Sequence, residues 1–250
     1  MEQRLKSAMD IGEEMLISGA EIHRVEDSMC RILKSLGALR VDVFIITSSM
    51  IVSVTTSDGS VITQTRRIHS SGTDFDKLHR LNALSRAICE GRVTPEEIDG
   101  ELIKIKPSRV YPVWVEILCY AIIAGSFTMF FGGDVPQSLV AVVIGIATWG
   151  VVWLSERTVK NKIFSRFVAS FIATALAYLS VTVGLTAGPD EIIIGNIMVL
   201  IPGIGLTNSL RDIFTGDSIT GILRCLEALL VALAIAAGFF VFAALSGGAV

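Results

Sequence analysis

The sequence predicts a mainly α-helical membrane protein, in which a soluble α+β head of residues 1–109 precedes about five transmembrane helices in residues 110–250. Hydrophobic residues make up 52% of the 250 residues, and the mean hydropathy is +0.65, which is high for a soluble domain. Only six of the 21 lysines and arginines follow Arg109. A composition change this sharp indicates a change of solvent along the chain.

The head begins with two predicted helices separated at Ser18-Gly19, where glycine can adopt the left-handed conformation that ends a helix. Apolar residues three and four apart continue the second helix to Gly37. A third helix is predicted over about 74–90, with Phe75 among its buried residues. A fourth is predicted to begin at Thr94, with Glu97 completing a capping box.

Strands are predicted between the second and third helices. Residues 41–45 alternate apolar and other side chains, and two β-rich runs flank Asp58-Gly59. Asp-Gly between such runs predicts a hairpin with a type I′ turn, which needs positive φ at both central residues. The head is therefore predicted to combine helices with a small hairpin sheet around its own core.

The head shows no recognisable catalytic site, cofactor motif or metal site. Its three histidines share no ligand spacing, and the four cysteines form no C-x-x-C pair. The net charge of −3 argues against a nucleic-acid partner, and the N-terminus lacks the apolar region of a signal peptide. Its densest charged stretch contains Glu21, Arg24 and Glu26; Glu21 and Arg24 are spaced i,i+3, as on a solvated, salt-bridged helix face.

Five apolar segments are long enough to cross about 30 Å of hydrocarbon at about 1.5 Å per residue. They lie near 112–131, 137–154, 164–185, 191–210 and 219–245. Cations precede the first segment, separate the second from the third and flank the connection after the fourth, whereas the other connections are acidic. The positive-inside rule therefore predicts a cytoplasmic head and an external C-terminus. In the third segment, Ala169, Ala173 and Ala177 form a small-residue face suited to close helix packing.

The fourth segment contains Asn196, the Pro202-Gly203 pair and a polar end with Asn208, Arg211 and Asp212. Proline and several glycines predict a broken helix, whose second half would present free N–H groups to a carboxylate. An ordinary proline kink is the alternative.

Ionisable groups within membrane segments mark transport pathways or buried pairs. Glu116 lies inside the first segment, and Arg224 and Glu227 lie inside the fifth. Arg224 and Glu227 are spaced i,i+3, so mutual neutralisation is one interpretation. Charge balance or proton coupling is the other.

The run from Ser18 to Asp27 resembles the S-G-A-E-x-x-R-V-E motif of the threonine/serine exporter family, and it includes Gly19, Glu21, Arg24 and Glu26. The run from Pro202 through Asp217 to Glu227 resembles that family's second signature, and the likeness covers essentially the whole chain. The resemblance implies an exporter of small carboxylate-bearing metabolites such as threonine and serine, with some relatives exporting succinate.

Full-length members of that family carry about ten spans in one chain, so the resemblance implies a small, apolar membrane subunit as partner. It also implies the inner (plasma) membrane of a prokaryote; a homo-oligomer is possible. We expect Asn196, Pro202, Gly203, Asn208 and Arg211 to face substrate, and Glu116, Asp212, Arg224 and Glu227 to balance charge or couple transport. The alternatives are a membrane-tethered, hydrolase-like enzyme or a ligand sensor, each with its site in the head.

Overall fold

The computed structural model describes residues 1–69, 72–106 and 111–246. The first elements in chain order are α1 (Glu2–Ile17), α2 (Ile22–Ser35), β1 (Arg40–Ile46), β2 (Ser49–Thr55), β3 (Val61–Arg67), α3 (Phe75–Cys89) and α4 (Ile98–Ile105). The remaining ones are α5 (Val113–Phe130), α6 (Val135–Thr158), α7 (Lys162–Thr182), α8 (Asp190–Met198), α9 (Gly203–Phe214) and α10 (Ser218–Leu245).

The chain forms two compact units, and the second half of the chain contributes to both. The first unit joins Met1–Val110 to Thr207–Arg224, and the second joins Tyr111–Leu206 to Cys225–Val250. The predicted domain boundary between residues 109 and 110, Arg109 itself and the C-terminal Val250 lie outside the described residues.

The first unit contains a three-stranded antiparallel sheet in the order β1-β2-β3, with Val43 opposite Val52 and Val54 opposite Ile62. Helices α1 and α2 pack against the sheet, and α3 and α4 extend the same core. Its core contains fully buried Leu, Ile and Met side chains, and each one so buried stabilises the fold by about 1.5–3 kcal/mol. The predicted combination of helices with a small hairpin sheet is therefore present.

Gly19 follows the end of α1 in the left-handed conformation, as predicted, with φ of +89°. A Cβ placed there would lie 2.7 Å from the backbone oxygen of Gly72, so the position has neither the conformation nor the space for another residue. The adjoining backbone is held by bonds from Gly72 N–H to Ile17 O and from Asp74 N–H to Ser18 O. This glycine of the head motif therefore has a structural role.

Two helix predictions in the head are wrong in detail. Phe75 is 60% exposed, because it is the first residue of α3 and its side chain precedes the buried face that contains Leu81 and Ile88. Helix α4 begins at Ile98 rather than after Thr94. The Glu97 carboxylate accepts hydrogen bonds from both the Thr94 N–H (3.0 Å) and the Thr94 hydroxyl (2.9 Å), so that hydroxyl acts as a donor instead of capping a helix.

The β2–β3 hairpin turns at Asp58-Gly59 as predicted, but not through a type I′ turn. Gly59 has φ of +82°, whereas Asp58 is not among the described residues with positive φ. Thr56 N–H bonds to Ser60 O, and Gly59 N–H bonds to Thr56 O, which makes a longer loop with a single left-handed residue.

By length and hydropathy, four described helices are able to cross a membrane: α5, α6, α7 and α10. The pair α8 and α9 makes a fifth if the two are one broken span. Ala169, Ala173 and Ala177 are almost completely buried, which confirms the predicted packing face of the third segment. Gly195 of α8 has no space for a side chain, because a Cβ there would lie 2.7 Å from the backbone oxygen of Ala124 in α5.

Candidate functional site

The segment Thr207–Arg224 folds as a tight helical hairpin within the first unit. Helix α9 ends at a turn in which Gly216 has φ of +102° and Asp217 N–H bonds to the Asp212 carbonyl at 2.9 Å. A Cβ at Gly221 would lie 2.8 Å from the backbone oxygen of Ser209, so glycine is what allows the start of α10 to lie against α9. This close packing brings together charged residues that are distant in sequence.

Asp212 and Arg224 form a buried ion pair inside this hairpin. Arg224 Nη1 donates to Asp212 Oδ2 at 2.9 Å, and the two side chains are 18% and 1% exposed. The interpretation that Arg224 is neutralised by Glu227 is therefore wrong, since the ion-pair partner is Asp212 and Glu227 is exposed. Twelve residues separate the true partners, which is too far for helical spacing to reveal the pair.

Arg211 connects the hairpin to the head motif. Its Nη1 donates to Glu21 Oε1 at 2.5 Å, within the same unit. Glu21 occupies the N-cap position of α2 but its side chain makes no capping hydrogen bond. The interpretation that Glu21 pairs with Arg24 is therefore wrong. The ion-pair partner of Glu21 is Arg211, 190 residues away in sequence, and Arg24 is exposed.

The two ion pairs differ in strength. The Arg211 side chain is 59% exposed and the Glu21 side chain 20% exposed, so water reaches the pair from the arginine side, and pairs screened by water contribute about 0–1 kcal/mol. The Asp212–Arg224 pair is shielded from water, so removing one partner leaves an uncompensated charge. The first pair is therefore exchangeable, whereas the second maintains the fold of the hairpin.

Glu26, also in the head motif, is influenced by the negative charge of Asp217 in the hairpin. Its carboxylate accepts the Ile45 N–H at 3.1 Å. Burial raises the pKa of Glu26, as does the negative charge of Asp217, while the Ile45 bond and His23 lower the pKa. Among the described residues, Asp217 Oδ2 is buried without a hydrogen-bond partner. Asp217 is the residue that sequence reasoning did not select as a site residue, although it follows Gly216 in the second signature.

We expect Glu26→Gln to stabilise the protein at neutral pH. Because the folded pKa of Glu26 is raised, the folded state binds more protons than the unfolded state just above the usual glutamate pKa. Stability is consequently lost as the pH rises through that window. The glutamine keeps an oxygen for Ile45 N–H and removes the negative charge that Asp217 repels. Thermal unfolding of the full chain in detergent between pH 5 and pH 8 measures the effect.

Glu96→Gln removes an exposed carboxylate of the same unit and is the matched control. The expectation fails if Glu26→Gln lowers the unfolding temperature at pH 7, or if both variants change it equally.

The remaining predicted site residues lie in the second unit or at the start of α9. Asn196 is 1% exposed, and its Nδ2 donates to Ile192 O at 3.0 Å. Its Oδ1 is buried and has no hydrogen-bond partner among residues 1–69, 72–106 and 111–246. Glu116 is exposed and accepts a bond from Trp149 Nε1 at 3.2 Å. Asn208 is half-buried in α9.

The predicted break in the fourth segment is present. Helix α8 ends at Met198, helix α9 begins at Gly203, and the two are bent by 57°. Pro202 lies in the break and cannot donate a backbone hydrogen bond. Within the described parts of the chain, no three histidine, cysteine or acidic side chains lie close enough together to hold a metal ion.

The chain is similar to known membrane transporters. A family model described as "Putative threonine/serine exporter" matches residues 6–246. The chain is 32% identical over 171 residues to a threonine/serine exporter of Corynebacterium glutamicum, covering 66% of this chain and 35% of that protein. It is 25% identical over 226 residues to YjjP of Klebsiella aerogenes, named a probable succinate transporter subunit, covering 90% and 86%.

A probable threonine/serine exporter of Mycobacterium tuberculosis is 26% identical over 78% of this chain and 37% of its own length. The chain thus spans only about a third of either threonine/serine exporter. No solved structure matches the chain. Because the family model matches nearly all of its residues, this multi-pass membrane protein belongs to the threonine/serine exporter family, a family of transporters rather than of enzymes.

Proposed function

We propose that the chain is the large component of an exporter that moves small carboxylate-bearing metabolites out of the cell, either the amino acids threonine and serine or a dicarboxylate such as succinate. The observation that carries this proposal is the exchangeable Glu21–Arg211 pair, which connects the head motif to the helical hairpin. The relatives named as a threonine/serine exporter and as a probable succinate transporter subunit favour these two substrate classes.

In this proposal the substrate carboxylate competes with Glu21 for the Arg211 guanidinium. An exposed pair worth about 0–1 kcal/mol can be exchanged at little cost, and an arginine binds the planar carboxylate of a substrate as well as that of glutamate. Release of Glu21 from Arg211 would then couple substrate binding to the conformation of the head. The Pro202-Gly203 break supplies the flexible point that alternating access requires. Within the second unit, the buried Asn196 oxygen is a separate candidate acceptor for a polar group.

A small, apolar membrane subunit is proposed as partner. The chain spans about a third of the length of its threonine/serine exporter relatives but 86% of YjjP, whose name describes a subunit. The proposed location is the inner membrane of a prokaryote, with the head cytoplasmic and soluble and the C-terminus outside. Reporters fused before Met1 and after Val250 should therefore signal from opposite sides, and a cytoplasmic signal from both would overturn this orientation.

Export is tested with proteoliposomes that contain the chain with or without a candidate small subunit, loaded with radiolabelled threonine, serine or succinate. We expect Arg211→Gln to lower efflux of the transported substrate by at least about tenfold, since it removes the group that binds the carboxylate. Arg31→Gln is the matched control, because Arg31 is also an exposed, ion-paired arginine of the first unit. Efflux that does not depend on Arg211 would overturn the proposed role of this pair.

A further inference from the structure

Several buried polar atoms of the second unit have no hydrogen-bond partner in the described parts of the chain. They are Thr148 Oγ1, Ser165 Oγ, Arg166 Nη1 and Asn196 Oδ1, and all belong to α6, α7 or α8. Inside a membrane such an atom cannot bond to bulk water, so leaving it unbonded is costly. A polar atom that is kept at this cost is expected to serve a polar molecule that enters the protein.

Thr148 differs from the other buried threonines of this unit. Thr128 in α5 donates to the Ala124 carbonyl of its own helix at 2.9 Å. Thr174 in α7 donates in the same way to the Ser170 carbonyl at 2.8 Å. Thr148 lies near the middle of α6 and is 1% exposed, yet its hydroxyl makes no such bond. The hydroxyl is therefore free to bond to a molecule from outside its own helix.

The Thr148 hydroxyl and the Asn196 amide belong to one junction of three helices. One turn before Thr148, Ile144 shares a buried cluster with residues of α7 and α8, and one turn after it Val152 does the same. Asn196 of α8 meets the same face of α6 at Ala141, whose carbonyl oxygen lies 3.5 Å from Asn196 Nδ2. The buried face of α6 thus lies between α7 and α8 and carries polar groups from two helices.

Polar groups also occur at both ends of this face. At the end that the positive-inside rule assigns to the cytoplasm, a cavity of about 620 Å³ is lined by the start of α5, the end of α6 and the start of α7. Its lining includes Val152, one turn from Thr148, and the ion pair of Glu156 with Arg166, whose atoms lie 3.3 Å apart. At the opposite end, the Gln137 amide donates to a carboxylate at the start of α8 at 2.8 Å.

We propose that the buried face of α6, where it meets α7 and α8, lines the route by which the exported solute crosses the second unit, with Thr148 Oγ1 and Asn196 Oδ1 accepting its hydrogen bonds. Both atoms are acceptors, so they fit a solute that carries hydrogen-bond donors, and water between transport events. The three helices are in contact here, so the route is closed in this structure and opens when they move apart, as alternating access requires.

The cavity is then the cytoplasmic entrance to this route, since its deepest named residue is one turn from Thr148. This inference rests on the proposed function. It adds where the route lies and which polar groups face it.

The first test removes the Thr148 hydroxyl and keeps the shape of the side chain. Thr148→Val should lower efflux from proteoliposomes by about tenfold, because the transported solute loses a hydrogen-bond partner. The variant should fold and insert at least as well as the parent, because it removes an unbonded polar atom from the interior. Thr148→Ser, which keeps a hydroxyl, should retain efflux.

Thr174→Val is the matched control. Thr174 is also fully buried in the second unit, but its hydroxyl is satisfied by its own helix, so efflux should not change. Normal efflux in a well-inserted Thr148→Val variant, or an equal loss in both valine variants, would overturn the role of Thr148.

The second test measures whether water reaches this face. The four native cysteines are first replaced by serine, because Cys119 lines the cavity. Thr148→Cys then places a thiol on the proposed route, whereas Val143→Cys places one on the face of α6 that is 65% exposed and turned away from it. A charged methanethiosulfonate reagent reacts with the thiolate, which needs water to form, so it should modify Thr148→Cys about tenfold faster than Val143→Cys. One of threonine, serine and succinate should slow this modification.

The two tests separate the route from simple hydration and from failure of the exporter proposal. Modification of Thr148→Cys that none of the three solutes slows, in a chain whose efflux tolerates Thr148→Val, would indicate hydration alone and overturn the inference. Protection by one solute in a chain that exports none of them would support the solute-binding face and remove the exporter proposal. Export that persists in Thr148→Val, with Thr148→Cys unreactive, would retain the exporter and overturn the route.

Discussion

Replacing both Pro202 and Gly203 by alanine should leave membrane insertion intact and lower export by at least about tenfold. Between Met198 and Gly203 the chain leaves the helical conformation, and the helices on either side are bent by 57°. Alanine favours a continuous helix over glycine by about 1 kcal/mol and over proline by about 3 kcal/mol. A Cβ at Gly203 meets nothing within 4 Å, so alanine fits at this position without a steric clash. Efflux normalised to inserted protein is the measurement.

Gly205→Ala is the matched control for this double variant. Gly205 also lies in α9 and its added Cβ also meets nothing within 4 Å, so the variant raises helix propensity without removing the break. Export should survive in Gly205→Ala and fail in the double variant. Normal export by a well-inserted double variant would reduce Pro202 to a passive kink and remove the break from the mechanism.

The second large effect is expected from Arg224→Gln, which should sharply reduce the amount of folded, inserted protein. The variant leaves the Asp212 carboxylate, which is 1% exposed, without its charge partner. Breaking a buried pair by removing one partner costs about 3–5 kcal/mol, a large part of the stability of a typical domain. Size-exclusion chromatography of a fluorescent fusion in mild detergent measures the yield of folded protein.

The partner of Arg224 is identified by rescue. Arg224→Gln combined with Asp212→Asn should restore most of the yield, because no buried charge remains and the two side chains can still hydrogen-bond. Arg224→Gln combined with Glu227→Gln should not, since Glu227 is exposed. Arg211→Gln, which breaks only an exposed pair, should fold normally. Rescue by Glu227→Gln instead of Asp212→Asn would contradict the pairing seen in the structure.

Features that depend only on residues close together in the sequence were predictable from the sequence alone. The apolar segments, the alternating strands and the helix end at Gly19 follow from local hydropathy, period and backbone freedom. The Pro202 break was predictable for the same reason, because a missing backbone donor acts within one helical turn. Local patterns were less reliable for the exact start of a helix and the type of a turn, because several local hydrogen bonds compete there. Glu97 bound Thr94 in a turn, and the hairpin used one left-handed residue where two were predicted.

The sequence by itself thus determined the membrane class, the broken fourth segment and the two motifs that carry charge. Only the tertiary structure decided which charges pair. Helical spacing made Arg24 the natural partner of Glu21 and Glu227 that of Arg224, but the contacts formed are Arg211 with Glu21 and Asp212 with Arg224. The physical reason is the close approach at Gly221, which folds α10 against α9 and buries Asp212. A buried carboxylate needs a charge partner more than an exposed one does, so burial, which no local pattern reports, selected the pair.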